Sequence, residues 1–300
     1  MRDKADWFDR GMIVDPSLVR SLIATQFPQW ADLPVEAVDA SGTVNAIYRL
    51  GSDMVVRLPR TDDGAADVAR EHRWLPRLAP HLPIPVPAPL AEGVAGEGFS
   101  RPWSVRTWLE GVNPRPGDSL PLADLFAVDL AEFVLALRGV DAADGPPAYR
   151  GEPLSSRDAV TREALTAVDG VLDAKSAARA WDEALTAPSH EGPAVWVHGD
   201  LQPGNVLMAD GRLTGVIDFG CLGLADPAVD LIAAWYLLPA EARQTFRTAL
   251  AADDATWARG RGWALSIALL ELAHYRETNP VMAGIAHHVL TEIIAERRDD

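Results

Sequence analysis

The stretch AVWVHGDLQPGNVLMADGRLTGVIDFGCLGLADPAVDL, residues 194–231, is strand-like sequence set among helical patterns. Val195, Trp196 and Val197 form a short apolar run, and Val206, Leu207 and Met208 form another after an eight-residue loop. Asp210-Gly211 is a tight-turn signal, and a third run from Leu213 to Ile217 ends in Asp218-Phe219-Gly220. Gly199, Pro203 and Gly204 are ordinary turn residues. Turn chemistry does not explain the flanking strands, which deliver polar side chains to their ends. Asp200, Asn205 and Asp218 could thereby converge as two carboxylates and an amide, a donor set suited to a hard cation such as Mg²⁺. A phosphoryl donor would complete that coordination.

Working outward, NAIYRL and MVVRL are separated by Gly51-Ser52-Asp53 and predict a hairpin. In the segment that follows, Val68, Trp74, Leu75 and Leu78 mark one face of a helix, which Pro76 should kink or end. The proline-rich PIPVPAPLAEG is an extended connector. RPWSVRTWLEG, residues 101–111, reads as a strand leading into the second half, with the lobe boundary near Leu109. Beyond it, Leu122, Leu125, Phe126, Leu130, Phe133, Val134 and Leu137 recur at helical spacing. Residues 155–187 suggest two helices broken near Asp173, and residues 228–296 about four more. The expected class is α+β, with a β-rich lobe over residues 1–109 and a mainly helical lobe over 110–300.

His198, Asp200 and Asn205, followed by a short hairpin and DFG at Asp218 to Gly220, resemble the catalytic and metal loops of the protein-kinase-like fold. HGD in place of HRD, and the later DPAVDL, resemble the aminoglycoside phosphotransferase (antibiotic kinase) branch. The resemblance implies a bilobal fold, with a small antiparallel sheet in the first lobe, and Mg²⁺-dependent transfer of a phosphoryl group from ATP or GTP. It implies that Asp200 accepts or orients the proton of the attacking hydroxyl, and that Asn205 and Asp218 hold the metal. His198 and Asp230 then support the loop. Asp226, preceding Pro227, reads as a helix N-cap and is also a support residue.

By the same resemblance the first lobe binds the nucleotide. Arg57, in MVVRLPR, takes the place of the usual kinase lysine, with Glu71 as its partner. Arginine offers a permanently charged fork to phosphate oxygens, although it differs from lysine in reach. Ser41, Gly42 and Asn45 stand where a glycine-rich loop would cover the phosphates, and ordinary hairpin-turn chemistry explains the single Gly42 nearly as well. The base is expected beside the linker at Arg106, Thr107 and Trp108, bonded to backbone groups.

The chain carries a net charge of −16, which argues against nucleic acid or an anionic membrane as main partner. Residues 1–109 account for only −2 of this and residues 110–300 for −14. Acidic surfaces favour solubility in general. An acidic half that also holds the catalytic loop fits a small cationic acceptor bearing a hydroxyl, such as an aminoglycoside-like antibiotic. Trp235, Glu271 and Glu277 are candidate acceptor contacts. Macrolide kinases tend to carry histidine at the place of Asn205 and tryptophan after the metal aspartate, and this chain has neither. Housekeeping choline, homoserine or sugar kinases of the same fold share the catalytic loop, and a nucleotide-binding pseudokinase is disfavoured by the intact Asp200, Asn205 and Asp218. The single cysteine, Cys221, reads as a packing residue and excludes an internal disulfide. With no apolar stretch of about 18 residues, the expected setting is cytoplasmic.

Overall fold

The computed structural model describes residues 14–38, 44–118 and 120–296. Ser41 and Gly42 lie outside the described residues. The chain divides into two compact units, one of residues 1–80 and 85–110, the other of residues 81–84 and 111–300.

In the first unit, α1 (Pro16–Gln26) starts at Asp15, whose carboxylate accepts from the backbone N–H of Ser17 and Leu18. Then come β1 (Val35–Ala37), β2 (Asn45–Leu50), β3 (Met54–Pro59), α2 (Asp62–Leu78), β4 (Pro89–Gly93) and β5 (Trp103–Thr107). The strands form one antiparallel sheet in the order β1-β2-β3-β5-β4. Strand alternation divides its side chains. Ala46, Tyr48, Leu50, Val56, Leu58, Trp103 and Val105 face the apolar core shared with Val19, Leu22 and Ile23 of α1. Arg57, Ser104 and Arg106 take the opposite parity, on the face that α2 covers with Glu71. The sequence reading missed α1, β1 and β4. Pro76 does not end α2, which runs to Leu78. So near the C-terminus, proline's missing N–H removes one bond from a helix with only two residues left to run.

The second unit contains α3 (Ala123–Arg138), α4 (Asp158–Ala167), α5 (Ala174–Thr186), β6 (Val195–Val197), β7 (Val206–Ala209), β8 (Arg212–Val216) and β9 (Gly223–Ala225). α6 (Ala233–Tyr236), α7 (Ala240–Ala249), α8 (Asp254–Tyr275) and α9 (Pro280–Glu296) complete it. The break expected near Asp173 is a cap, its carboxylate accepting from the N–H of Ser176. Asp210 and Gly211 both have positive φ, 51° and 75°, the geometry of a tight turn joining β7 to β8. Asp129 of α3 anchors this hairpin through two bonds to Arg212, at 2.7 and 2.6 Å, and one from the Leu213 N–H at 3.1 Å. α8 is buried along much of its length and packs against α4, α5 and α9. No helix among the described residues is long and apolar enough to cross a membrane.

Strands β6 and β9 pair antiparallel, and residues 146–149 lie against the chain from Cys221 to Leu224. Gly223 permits that approach, because a Cβ there would fall 2.4 Å from the backbone nitrogen of Ala148. Backbone cannot swing aside as a flexible side chain can. Gly223→Ala should therefore destabilise the protein by about 1–3 kcal/mol, the range for overpacking. Gly284→Ala on α9, where nothing lies within 4 Å of the added carbon, should stabilise it by about 0.4–1 kcal/mol. Denaturant unfolding of the two variants checks both signs.

Candidate active site

The loop between β6 and β7 is held from beneath by Asp230. Its buried carboxylate accepts from the backbone N–H of His198 at 2.9 Å and of Gly199 at 2.8 Å. Burial pushes this carboxyl above its ordinary pKa, against the opposing influence of His198 and the Gly199 N–H. Gly199 has φ +80°, and a Cβ would meet the Cys221 carbonyl oxygen at 2.9 Å, so the loop has room for no other residue here. Asp226 caps the turn that carries Asp230, accepting from the Ala228 N–H, and is held by Arg259 at 2.7 and 3.1 Å.

His198 points into the protein. Its Nδ1 accepts from the Asp200 N–H at 3.2 Å, so Nε2 carries the hydrogen and donates to the Ile217 carbonyl at 3.0 Å. The ring packs edge-on against Phe219, 4.6 Å between centroids. It thus links the two loops and turns no nitrogen to a substrate. The β7–β8 register places the other polar residues. Val206 pairs with Val216, and one step further out Asn205 C=O accepts from the Ile217 N–H at 2.9 Å, so Asn205 and Asp218 share one end of the hairpin. Asp218 has φ +60°, an uncommon conformation for a non-glycine residue, of a kind concentrated at functional sites.

The Asp200 carboxylate is crowded with donors. Oδ1 accepts from Gln202 Nε2 at 3.0 Å and Arg150 Nη1 at 3.0 Å, while Oδ2 accepts from Asn205 Nδ2 at 2.9 Å. Asn205 Nδ2 also reaches the Asp200 carbonyl at 2.8 Å, which leaves the amide oxygen directed away from Asp200. Among the described residues no group of three or more His, Cys, Asp or Glu side chains is placed to hold a metal. One carboxylate and one amide oxygen suit Mg²⁺, which commonly takes one or two protein carboxylates and completes its shell with phosphate and water oxygens.

Of the three acceptor-contact candidates, Glu271 alone reaches this loop. Its Oε1 accepts from Gln202 Nε2 at 2.8 Å and its Oε2 from the Tyr236 hydroxyl at 2.8 Å. Trp235 is fully buried, donates to Glu296 and packs against Trp257, so core packing takes the surface it would need for a ligand. Glu277 is exposed and sits by Arg276, beyond the end of α8. Arg150, Gln202 and Tyr236 were not singled out from sequence. Gln202 lies inside the quoted loop, but no motif or periodicity marks the other two.

In the first unit, Arg57 Nη1 lies 3.1 and 3.4 Å from the two Glu71 carboxylate oxygens. Glu71 also accepts from Arg106, whose Nε donates to the Ser104 hydroxyl at 3.1 Å. One carboxylate therefore serves two guanidiniums, and Arg106 is turned inward. The backbone N–H groups of Thr107 and Trp108 donate to the Ala88 and Asp53 carbonyls, so they are engaged within the unit. Asn45 opens β2 and is paired with Pro59.

An antiparallel sheet whose third strand carries a basic residue paired with a glutamate of the next helix, together with a helical unit presenting Asp200, Asn205 and Asp218 on two adjoining loops, defines a kinase-like phosphotransferase. The chain belongs to the phosphotransferase enzyme family (APH), whose family model matches residues 37–263. It is an enzyme that transfers a phosphoryl group to a hydroxyl. An aminoglycoside 3'-phosphotransferase of Streptomyces fradiae is 33% identical over 192 residues, covering 59% of this chain and 67% of that protein. Among solved structures, the GDP complex of aminoglycoside 2'-phosphotransferase-IIIa matches with a TM-score of 0.75 at 22% identity, over 95% of this chain and 100% of that one. Macrolide 2'-phosphotransferase MphH of Brachybacterium faecium matches with a TM-score of 0.59 at 23% identity, over 92% and 97%. At these identities the structural likeness carries the fold.

Burial pushes Glu271 up to about 7, with Asp200 adding to the rise and the Tyr236 and Gln202 donors opposing it. The unfolded carboxyl gives up its proton near its ordinary 4.5, so the folded chain holds an extra proton between these values. That contribution to stability is complete below pH 4.5 and is lost as pH rises through 7, a change of up to about 3 kcal/mol. In Glu271→Gln this part of the pH dependence should disappear. Chemical denaturation at a series of pH values measures it.

Proposed function

We propose that the chain is a small-molecule kinase that transfers the γ-phosphoryl group of ATP or GTP to a hydroxyl of a cationic, aminoglycoside-like acceptor, inactivating an antibiotic. The observation that carries this reading is the arrangement around Asp200, whose Oδ2 keeps acceptor capacity beside the hairpin end formed by Asn205 and Asp218. The reading assigns the nucleotide to the first unit and the acceptor to the second. The acceptor's hydroxyl donates to Oδ2, its oxygen forms the new bond to the γ-phosphorus, and the bond to the β–γ bridging oxygen breaks. The nucleoside diphosphate leaves and the hydroxyl proton passes to Asp200. Positioning and charge neutralisation do most of the work in such a transfer.

Asn205 and Asp218 would hold Mg²⁺, which when bound neutralises charge on the phosphate oxygens. Arg57, with Glu71 beside it, contacts the phosphates. Glu271 provides a carboxyl next to the catalytic loop whose ionised form an ammonium of the acceptor would favour, in keeping with the −14 charge of residues 110–300. Similarity to an aminoglycoside 3'-phosphotransferase supports this acceptor class, as does the matched structure of an aminoglycoside phosphotransferase with GDP and kanamycin.

The test is a panel of aminoglycosides, macrolides, choline, homoserine and sugars, each offered with labelled ATP and with labelled GTP. Phosphorylation of aminoglycosides is expected. Exclusive turnover of choline, homoserine, a sugar or a macrolide would replace the acceptor assignment, and nucleotide binding without any turnover would favour a sensor. With the acceptor in hand, Asp200→Ala should lower kcat by about 100-fold or more while nucleotide affinity changes little. Asp218→Ala should instead weaken Mg²⁺-nucleotide binding, read by titration calorimetry. Near-normal rates in both variants would contradict the roles given to these residues.

A further inference from the structure

The loop of residues 146–150 is fastened to the chain that follows the DFG segment. Leu224 N–H donates to the Pro146 carbonyl at 2.8 Å, Ala148 N–H to the Leu224 carbonyl at 3.1 Å, and Tyr149 N–H to the Cys221 carbonyl at 3.2 Å. The next residue, Arg150, reaches the catalytic loop from this fixed base. Its Nη1 bonds to the Gly199 carbonyl and to Asp200 Oδ1, and lies 3.5 Å from Cys221 Sγ, with 12% of the side chain exposed. Burial works against the guanidinium charge, but Asp200, Cys221 and Glu271 more than offset it and hold its pKa above the ordinary value.

A carboxylate has about four lone-pair positions, two on each oxygen. Arg150 and Gln202 use those of Oδ1, and Asn205 uses one on Oδ2. The position that remains is on Oδ2. We infer that Arg150 is a positioning residue for phosphoryl transfer, which fixes the Asp200 carboxylate by occupying Oδ1 so that Oδ2 receives the acceptor hydroxyl. The inference rests on the reading of Asp200 given above. The Gly199 carbonyl, held by the same nitrogen, locks the backbone of the loop together with its carboxylate. Because one nitrogen makes both bonds, a lysine ammonium is a partial substitute, limited by its different reach and shape.

Kinetics of Arg150→Met, Arg150→Lys, Asp200→Asn and the Arg150→Met/Asp200→Asn double variant test this, using an acceptor found in the panel. In Arg150→Met, kcat should fall by about 100-fold, the scale of a misplaced catalytic group, with nucleotide KM within about twofold of the parent. Arg150→Lys should recover part of the loss. Because Arg150 acts through Asp200, the double variant should be no more than about threefold slower than Asp200→Asn alone, since groups that act as a unit are not additive. Losses that multiply in the double variant, or an unchanged kcat in Arg150→Met, would overturn the inference. Thermal unfolding monitors folding, and if Arg150→Met does not fold, Arg150→Lys with its own Asp200→Asn double variant gives the same comparison. Near-normal turnover by Asp200→Asn would remove the reading of Asp200 itself. A slow Asp200→Asn beside a normal Arg150→Met would remove only the role of Arg150.

Discussion

The buried carboxylate of Asp230 sets the candidate active site by accepting from two consecutive backbone N–H groups, those of His198 and Gly199. Leaving either donor unpaired in the interior would cost about 1–3 kcal/mol, so the backbone is held where both bonds are made. The Gly199 backbone has φ +80°, and the Cys221 carbonyl leaves no space for a Cβ. From that point the direction of the His198 ring follows. With one nitrogen on the Asp200 N–H and the other on the Ile217 carbonyl, the ring transmits the position of the Asp200 loop to the segment bearing Asp218. A histidine in this motif is therefore best understood as a connector between loops.

Charged side chains throughout the protein are shared between elements. Asp129 with Arg212, Asp226 with Arg259, and Arg243 with Glu292 and Glu296 tie helices to strands, turns or other helices. Where both partners are largely buried, as in Asp226 with Arg259, such a pair adds little net stability relative to apolar packing, because desolvation offsets the attraction. Breaking one leaves an uncompensated charge, so each pair constrains geometry strongly. Glu71, Arg57 and Arg106 differ in stoichiometry. One carboxylate accepts from two guanidiniums, so Arg57 and Arg106 are fixed by the same side chain.

Much of this was legible from short-range patterns. The NAIYRL and MVVRL hairpin, the helix marked by residues from Leu122 to Leu137, the break near Asp173 and the Asp210-Gly211 turn all depend on neighbours a few residues apart, although Leu122 and Leu125 are exposed and not part of the buried face. The short strand β1 and the sheet-edge strand β4 were missed, since brief segments carry little periodicity; α1 was missed although Asp15 and Pro16 form a helix-start signal. Arg150 was missed for a different reason. It stands 50 residues before Asp200 in a proline- and glycine-containing loop, and nothing local distinguishes it from a surface arginine. Glu271 was chosen for its charge, and its bond to Gln202, 69 residues away, could not be read from that charge.

By itself the sequence determined the succession of a β-rich and a helical half, the chemical identity of the loops at His198–Asn205 and Asp218–Gly220, and the resemblance to a phosphotransferase family. Those properties reside in spacing and residue type, which persist in the unfolded chain. Only the tertiary structure decided that Arg57 and Arg106 share Glu71, that Trp235 belongs to the core, and that the Asp200 carboxylate is held by Arg150, Gln202 and Asn205 together. Hydrogen bonds and burial act over a few ångströms of space, and chain segments far apart in sequence meet at that distance only after folding.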